Sequence, residues 1–274
     1  MCHHCVMESV KSQMLDRRSF FAGAAAAAAT AIAAGAAKPA RAADAPMMGK
    51  PHDMTHELHQ NFPTYFGVQQ FFLEQKFVFA KDHFNLNEWR INEHTGTHID
   101  APLHFSADGK SVAEIPVNDL VAPLAIIDIR EKATANPDAQ VTPDDIKAWI
   151  VAHGDLPAGA CVAMNSGWDA HVAFDKFRNA DAEKKMHFPG FHVEAAKMLI
   201  EDGSVIGIAV DTLSLDFGPS PDFATHYAWL PTGRWGLECL ANLSALPVAG
   251  ATLVVGAPKV RGGTGGPCRV IALA

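Results

Sequence analysis

The sequence has no run of basic residues and no aromatic residues interleaved with basic ones. Its 22 Lys and Arg are outnumbered by 30 Asp and Glu, for a net charge of -8. Such a chain does not neutralise a phosphate backbone, so nucleic acid is excluded as a partner. It also lacks an apolar run of the ~20 residues needed to span a bilayer. The longest candidate, residues 22–37, is mostly Ala and Gly. There is no cysteine framework: beyond residue 42 only Cys161, Cys239 and Cys268 occur, widely scattered. Small buried thiols are expected there, although an exported protein would tolerate a disulfide. No internal repeat is visible. The glycines at 262–266 are followed by no Lys-Ser or Lys-Thr pair and open no helix. They read as turns and close backbone approach, not as a phosphate loop.

The front of the chain reads as an export signal. Asp16-Arg17-Arg18-Ser19-Phe20-Phe21 sets an arginine pair ahead of the alanine-rich stretch, and Ala40-Arg41-Ala42 offers a small-x-small cleavage site. Positive start, weakly apolar middle and small-residue end describe a secretory signal of the twin-arginine type. Residues 1–42 are expected to be removed, leaving a periplasmic domain of residues 43–274 with no membrane attachment. Twin-arginine export carries folded proteins, often with metal already loaded. Cys2-His3-His4-Cys5 resembles a metal cluster but precedes the arginine pair, so it is expected to leave with the signal. The remainder, about 230 residues, fits one domain with a full core.

Within that domain the apolar runs are short and β-rich: 124–129, 160–164, 205–210, 252–255 and 270–273. Bounded by turn residues, they suit strands buried on both faces. Thr142-Pro143-Asp144-Asp145 opens a helix, with Ile146, Trp149 and Ile150 at helical spacing. A second helix is expected over 193–202, with Val193, Ala196, Leu199 and Ile200 as its apolar stripe and Gly203 closing it. Strands alternating with helices predict an α/β fold: a single domain with a mixed, partly parallel β-sheet core flanked by helices. Residues 44–92 are more β-like and irregular, so an extra β-layer is expected.

Residues 93 to 105 read EHTGTHIDAPLHF. In extended chain, alternate residues face one side. His94, Gly96, His98 and Asp100 would then line a single face, two imidazoles converging with a carboxylate. Thr95, Thr97 and Ile99 favour strand, and Pro102 ends it. His104 follows that break and can lean over the same site. Two imidazoles and a carboxylate suit a divalent transition metal, without separating a hydrolase from an iron oxygenase.

The segment from His94 to Phe105 resembles the HxGTHxDxPxH signature of the metal-dependent cyclase family, which has formamidase and isatin hydrolase branches. Asp53-Met54-Thr55-His56, Asn165-Ser166-Gly167-Trp168-Asp169, the stretch 210–216 and Arg261-Gly262-Gly263-Thr264-Gly265-Gly266-Pro267 are similar to further family segments. The resemblance implies a cyclase-like swivelling β/β/α fold and a ligand set of His94, His98 and Asp100. In the formamidase branch a later histidine and a glutamate twelve residues on complete a two-metal site, which here correspond to His226 and Glu238. A single manganese is usual in the isatin hydrolase branch. Two zinc ions are therefore implied, with manganese as the alternative. Glu238 lies inside the apolar run Trp235-Gly236-Leu237-Glu238-Cys239-Leu240, where a carboxylate needs a partner.

A bound divalent ion lowers the pKa of a water to about 7. The expected reaction is hydrolysis of a small amide in the manner of arylformamidase, with His104 moving the proton as base and then acid. A lactam or lactone hydrolase of the isatin type is the alternative, and a non-catalytic periplasmic binding protein is the alternative of another class. Substrates are small amides or lactams, and the family resemblance implies a homodimer or homotetramer. Phe66 and Trp168 are candidate substrate-binding residues, with Phe71 and Phe72 as a further aromatic wall or as core. Asp211 either supports the site or caps a turn. The loop 215–220 is expected near the site. His52, His56 and His59 mix odd and even positions, so His56 is expected to pack near the site rather than bind metal.

Overall fold

The computed structural model of the protein describes residues 49–274. The export signal and the cluster at residues 2–5 lie outside the described residues. Along the chain the strands are β1 (Pro51–Asp53), β2 (Phe71–Phe77), β3 (Leu86–Ile91), β4 (His98–Asp100), β5 (Val121–Asp128), β6 (Gln140–Val141), β7 (Ala160–Asn165), β8 (Gly190–Phe191), β9 (Val205–Val210), β10 (Trp235–Glu238), β11 (Ala251–Gly256), β12 (Gly265–Pro267) and β13 (Arg269–Leu273). The α-helices are α1 (Phe79–Asp82), α2 (Arg130–Ala135), α3 (Pro143–His153), α4 (Val193–Asp202) and α5 (Ala224–Trp229).

Each of the five apolar runs becomes a strand of one mixed sheet, in the order β1-β13-β11-β5-β7-β9-β10-β4-β12. The central four, β5, β7, β9 and β10, are parallel, and the remaining pairings are antiparallel. Parallel neighbours require long crossovers, and α3 and α4 sit in them. Every residue of β7 is buried, which explains why its sequence is apolar without alternation.

Alternate residues of the central strands enter two different cores. Leu124, Ile126, Cys161, Ala163 and Ala209 face one side, with Ile99, Leu237, Leu253 and Val270 from the curling ends of the sheet. Ala125, Ile127, Val162, Met164, Ile208 and Val210 face the other, against Ile146 and Trp149 of α3 and Ala195, Ala196 and Leu199 of α4. The sheet curls into a half-barrel around the first core, and the helices cover its outer face. Both expected helices form. At α3, Asp145 Oδ2 accepts from Thr142 N and Thr142 Oγ1, each at 2.7 Å, closing the first turn. α4 ends at Gly203.

The extra β-layer is a separate two-stranded sheet of β2 and β3. It removes two members of the proposed aromatic wall. Phe71 is buried against Trp89 on one face of this hairpin, and Phe72 lies under the Arg90 guanidinium at 3.7 Å on the other.

One local expectation changes. The extended run predicted from His94 is strand only over His98–Asp100. Gly96 adopts φ +74, a left-handed turn that breaks the alternation. His94 still reaches Asp100, but by a bend in the chain and not by sharing a strand face.

Candidate metal centre

β4 lies between β10 and β12 and is antiparallel to both. The register sets His98 opposite Glu238 and Pro267, and Asp100 opposite Gly236 and Gly265. Directly opposed residues share a face. His98, Asp100 and Glu238 therefore project together, while Ile99 and Leu237 enter the core. Glycine at 265 is required: a Cβ there would run into the Ile99 carbonyl and lie 2.8 Å from His94 Cε1. The glycine-rich stretch thus makes the close backbone approach expected of it.

His226 arrives from α5. Asp216, in the loop after β9, accepts from the N–H of Thr225 at 2.8 Å and of His226 at 3.2 Å, and faces His226 Nδ1 at 2.6 Å. One carboxylate both closes the start of the helix and pins the ring. Residues flanking the centre take left-handed backbone without being glycine: Phe223 at φ 52 and Cys239 at φ 55. Such conformations persist where the surroundings enforce them. The Cys239 carbonyl accepts from Thr97 Oγ1 at 2.6 Å.

The five predicted ligands come together. Asp100 Oδ1 lies 2.7 Å from His94 Nδ1 and 3.4 Å from His98 Nε2, while Oδ2 lies 3.5 Å from His226 Nε2. Glu238 Oε2 lies 3.3 Å from His98 Nε2, and Oε1 lies 3.2 Å from His226 Nε2. Each carboxylate thus turns one oxygen to each of these imidazoles. His98, Asp100, His226 and Glu238 are all buried.

The donor set fits a divalent cation. His98 Nδ1 is engaged by the Gly96 carbonyl at 2.8 Å, so Nε2 is left facing the carboxylates. His98 Nε2 and Asp100 Oδ2 are buried with no hydrogen-bond partner. Two buried carboxylates against orphaned acceptors are costly unless positive charge sits among them. The same demand appears in the titration of the ligands. Burial lowers the His98 imidazole, but Asp100 and Glu238 outweigh it and push it up to about 10. Burial likewise opposes the charge on Asp100, yet His226, His94 and His98 hold its carboxyl well below the usual range.

His104 stands on a 3-10 turn, Pro102–Phe105, after the strand break. Its ring stacks on His94, with centroids 3.7 Å apart and planes at 19°. A nitrogen of His104 comes within metal-sharing reach of His94 and Asp100. Burial, against the pull of Asp100, pushes the His104 imidazole down to about 4, so the ring is neutral at neutral pH.

Above the centre lies a cavity of about 420 Å³ walled by Tyr65, Phe66, Phe105, Leu213 and Phe223. Phe66, a candidate from the sequence, is among the residues that line it. Tyr65, Phe105 and Phe223 were not anticipated, since aromatic residues in loops carry no periodic signal. Asp216 was missed for the same reason, although the loop holding it was expected near the site.

Trp168 is the correction. It does not line the cavity. It is buried in a satellite core with Phe62, Phe177 and Phe188, and its Nε1–H donates to the Phe177 carbonyl at 2.9 Å. A ring so enclosed, with its one polar atom satisfied, is structural. His56 packs beside it, against Phe62 and Phe177.

Asp211 caps a turn, but the turn after β7. It accepts from Ser166 Oγ at 2.6 Å, Ser166 N at 2.9 Å and Trp168 N at 3.0 Å. Burial pushes its carboxyl up to about 7 against those hydrogen bonds. A carboxyl raised in the folded state stabilises the fold below its unfolded value, and that contribution is lost as pH rises through 7. Asn fits the same contacts, its oxygen taking both backbone N–H groups and its NH2 facing Ser166 Oγ. Asp211→Asn is therefore expected to remove part of the stability lost between pH 5 and pH 8, about 3 kcal/mol at most. Denaturant unfolding at the two pH values checks this; an undiminished difference would mean that Asp211 is already ionised at pH 5.

Comparison with known proteins places the chain among known hydrolases. The Cyclase family model matches residues 52–217. The chain is 36% identical over 193 residues to isatin hydrolase of Roseibium aggregatum, covering 67% of this chain and 72% of that one. It is 28% identical over 187 residues to kynurenine formamidase of Salinibacter ruber, covering 68% and 79%. Among solved structures, isatin hydrolase A from Ralstonia solanacearum superposes with a TM-score of 0.77 at 35% identity, covering 82% of this chain and 92% of that one. On the extent of these matches, the chain belongs to the cyclase family, as a metal-dependent hydrolase.

Proposed function

We propose that the protein hydrolyses the C–N bond of a small aromatic amide, as an arylformamidase does, at a centre of two divalent ions. The observation that carries this reading is the shared use of Asp100 and Glu238, each turning one oxygen to His98 and the other to His226. His94, His98, Asp100, His226 and Glu238 would hold the ions, zinc first and manganese as the alternative. Bound there, such ions would lower the pKa of a water to about 7 and polarise the substrate carbonyl.

The chain's own groups do the rest. His104 is neutral, faces the cavity and takes the proton of the attacking water before returning it to the departing nitrogen. An arylamine leaves more readily than an alkylamine, and Tyr65, Phe66, Phe105 and Phe223 form a slot for its ring.

An isatin-type lactam is the second reading, favoured by the higher identity to isatin hydrolase and by the fold match. A periplasmic binder without turnover is disfavoured by the neutral imidazole over the centre. The paired arginines support a periplasmic location, so the substrate is one met outside the inner membrane.

Metal quantification of the full chain, beside a panel of aryl formamides, alkyl formamides, isatin and lactones, tests the proposal. Two equivalents of zinc or manganese with preferred turnover of aryl formamides is the expected result. Preference for isatin selects the second reading. Bound metal with no turnover of any member, or bound iron with oxygen uptake, overturns the hydrolase mechanism.

A further inference from the structure

Each of the three imidazoles read as ligands has its remote nitrogen held. For His98 the holder is the Gly96 carbonyl, and for His226 it is Asp216. His94 is held differently. Its Nε2 lies 2.9 Å from Thr264 Oγ1, while its Nδ1 faces Asp100. The Thr264 hydroxyl donates to Glu93 Oε2 at 2.6 Å, and the Thr264 N–H donates to the same oxygen at 3.1 Å. With its proton committed to Glu93, the hydroxyl oxygen has only lone pairs left for His94. It must therefore accept from Nε2–H.

We infer that Glu93 and Thr264 are positioning residues that fix His94 as the Nε2–H tautomer and so present Nδ1 to the metal centre. His98 and His226 present the opposite nitrogen, Nε2. This inference rests on the reading of His94 as a metal ligand. The arrangement is built from both ends of the domain. Glu93 directly precedes His94, and Thr264 sits at the head of β12, where its carbonyl accepts from Ala101 N–H at 2.9 Å. Gly265, next in sequence, clears the room that the ring occupies. The hydroxyl serves as a relay between a carboxylate and an imidazole too far apart to meet directly. Without it, either ring nitrogen carries the proton, and the wrong tautomer turns an N–H toward the cation. Partners that orient a metal-binding histidine typically account for about 10- to 100-fold in metal affinity.

The test uses Thr264→Val, which keeps the shape and removes the relay, with Thr264→Ser, Glu93→Gln and His94→Ala. Zinc affinity of the full chain is measured by competition with a chelator, and ring nitrogens are read by NMR on the 15N-histidine-labelled zinc form. Expected are a 10- to 100-fold weaker zinc affinity for Thr264→Val, recovery in Thr264→Ser, and a smaller loss for Glu93→Gln. The wild-type spectrum should show His94 protonated at Nε2 and bound through Nδ1. If His94→Ala weakens zinc but Thr264→Val does not, or if His94 binds through Nε2, the relay is wrong and the ligand reading stands. If His94→Ala leaves zinc affinity unchanged, the ligand reading itself falls, and the relay with it.

Discussion

Asp100→Asn is expected to strip the centre of metal and to lower kcat/KM for an aryl formamide by more than about a thousandfold. Among the described residues, Asp100 is the one carboxylate within 3.5 Å of His94, His98 and His226 together. The asparagine is isosteric, so the fold and the strand register survive. What disappears is the negative charge on Oδ1 and Oδ2, and an NH2 group now meets an imidazole that should share a cation with it. Loss of a single oxyanion donor costs about a hundred- to a thousandfold in kcat. Loss of the ions removes both the nucleophile and the electrophile, so the effect should exceed that range. Metal per chain and kcat/KM are measured on the same preparation. Full metal content with full turnover would show that the centre described here is not where the chemistry occurs.

The second large effect separates the proton carrier from the ligands. His104→Ala should lower kcat by about a hundred- to ten-thousandfold while leaving metal content and KM nearly unchanged. The ring stacks on His94 without crossing any buried hydrogen-bond network, so its removal leaves the five other donors where they are. The residual rate should lose its dependence on solvent protonation at this ring. A variant that instead loses one metal equivalent would make His104 a ligand, since its nitrogen comes within reach of the ion that His94 and Asp100 would share. Unchanged kcat would remove His104 from the mechanism altogether.

Much of this protein was legible before any coordinate. The apolar runs at 124–129, 160–164, 205–210, 252–255 and 270–273 predicted strands because burial on both faces leaves no polar alternation to confuse the reading. Thr142-Pro143 and Gly203 marked helix ends because capping is chemistry of the local chain. The donors from His94 to His104 were visible because they fall within one short segment, and the pairing of His226 with Glu238 came from the family resemblance and not from their spacing alone.

Side chains chosen by long-range contact were not legible. Trp168 read as a pocket residue, yet it packs beside Phe177 and donates to its carbonyl, a contact created by how one loop folds back. Asp216 reads in sequence as an ordinary loop acid, although it holds His226. Tyr65, Phe105 and Phe223 meet only because three separate segments close over one cavity.

The sequence by itself determined the α/β class, the position of the buried strands, the helix ends and the chemical identity of the donors. Those properties depend on neighbours a few residues away. The tertiary structure alone decided which oxygen faces which imidazole, which ring nitrogen is free and which aromatics wall the cavity. Those depend on the register of β4 between β10 and β12 and on the turn at Gly96. A register is set by the summed burial of a whole sheet, so it is not written at the positions it aligns.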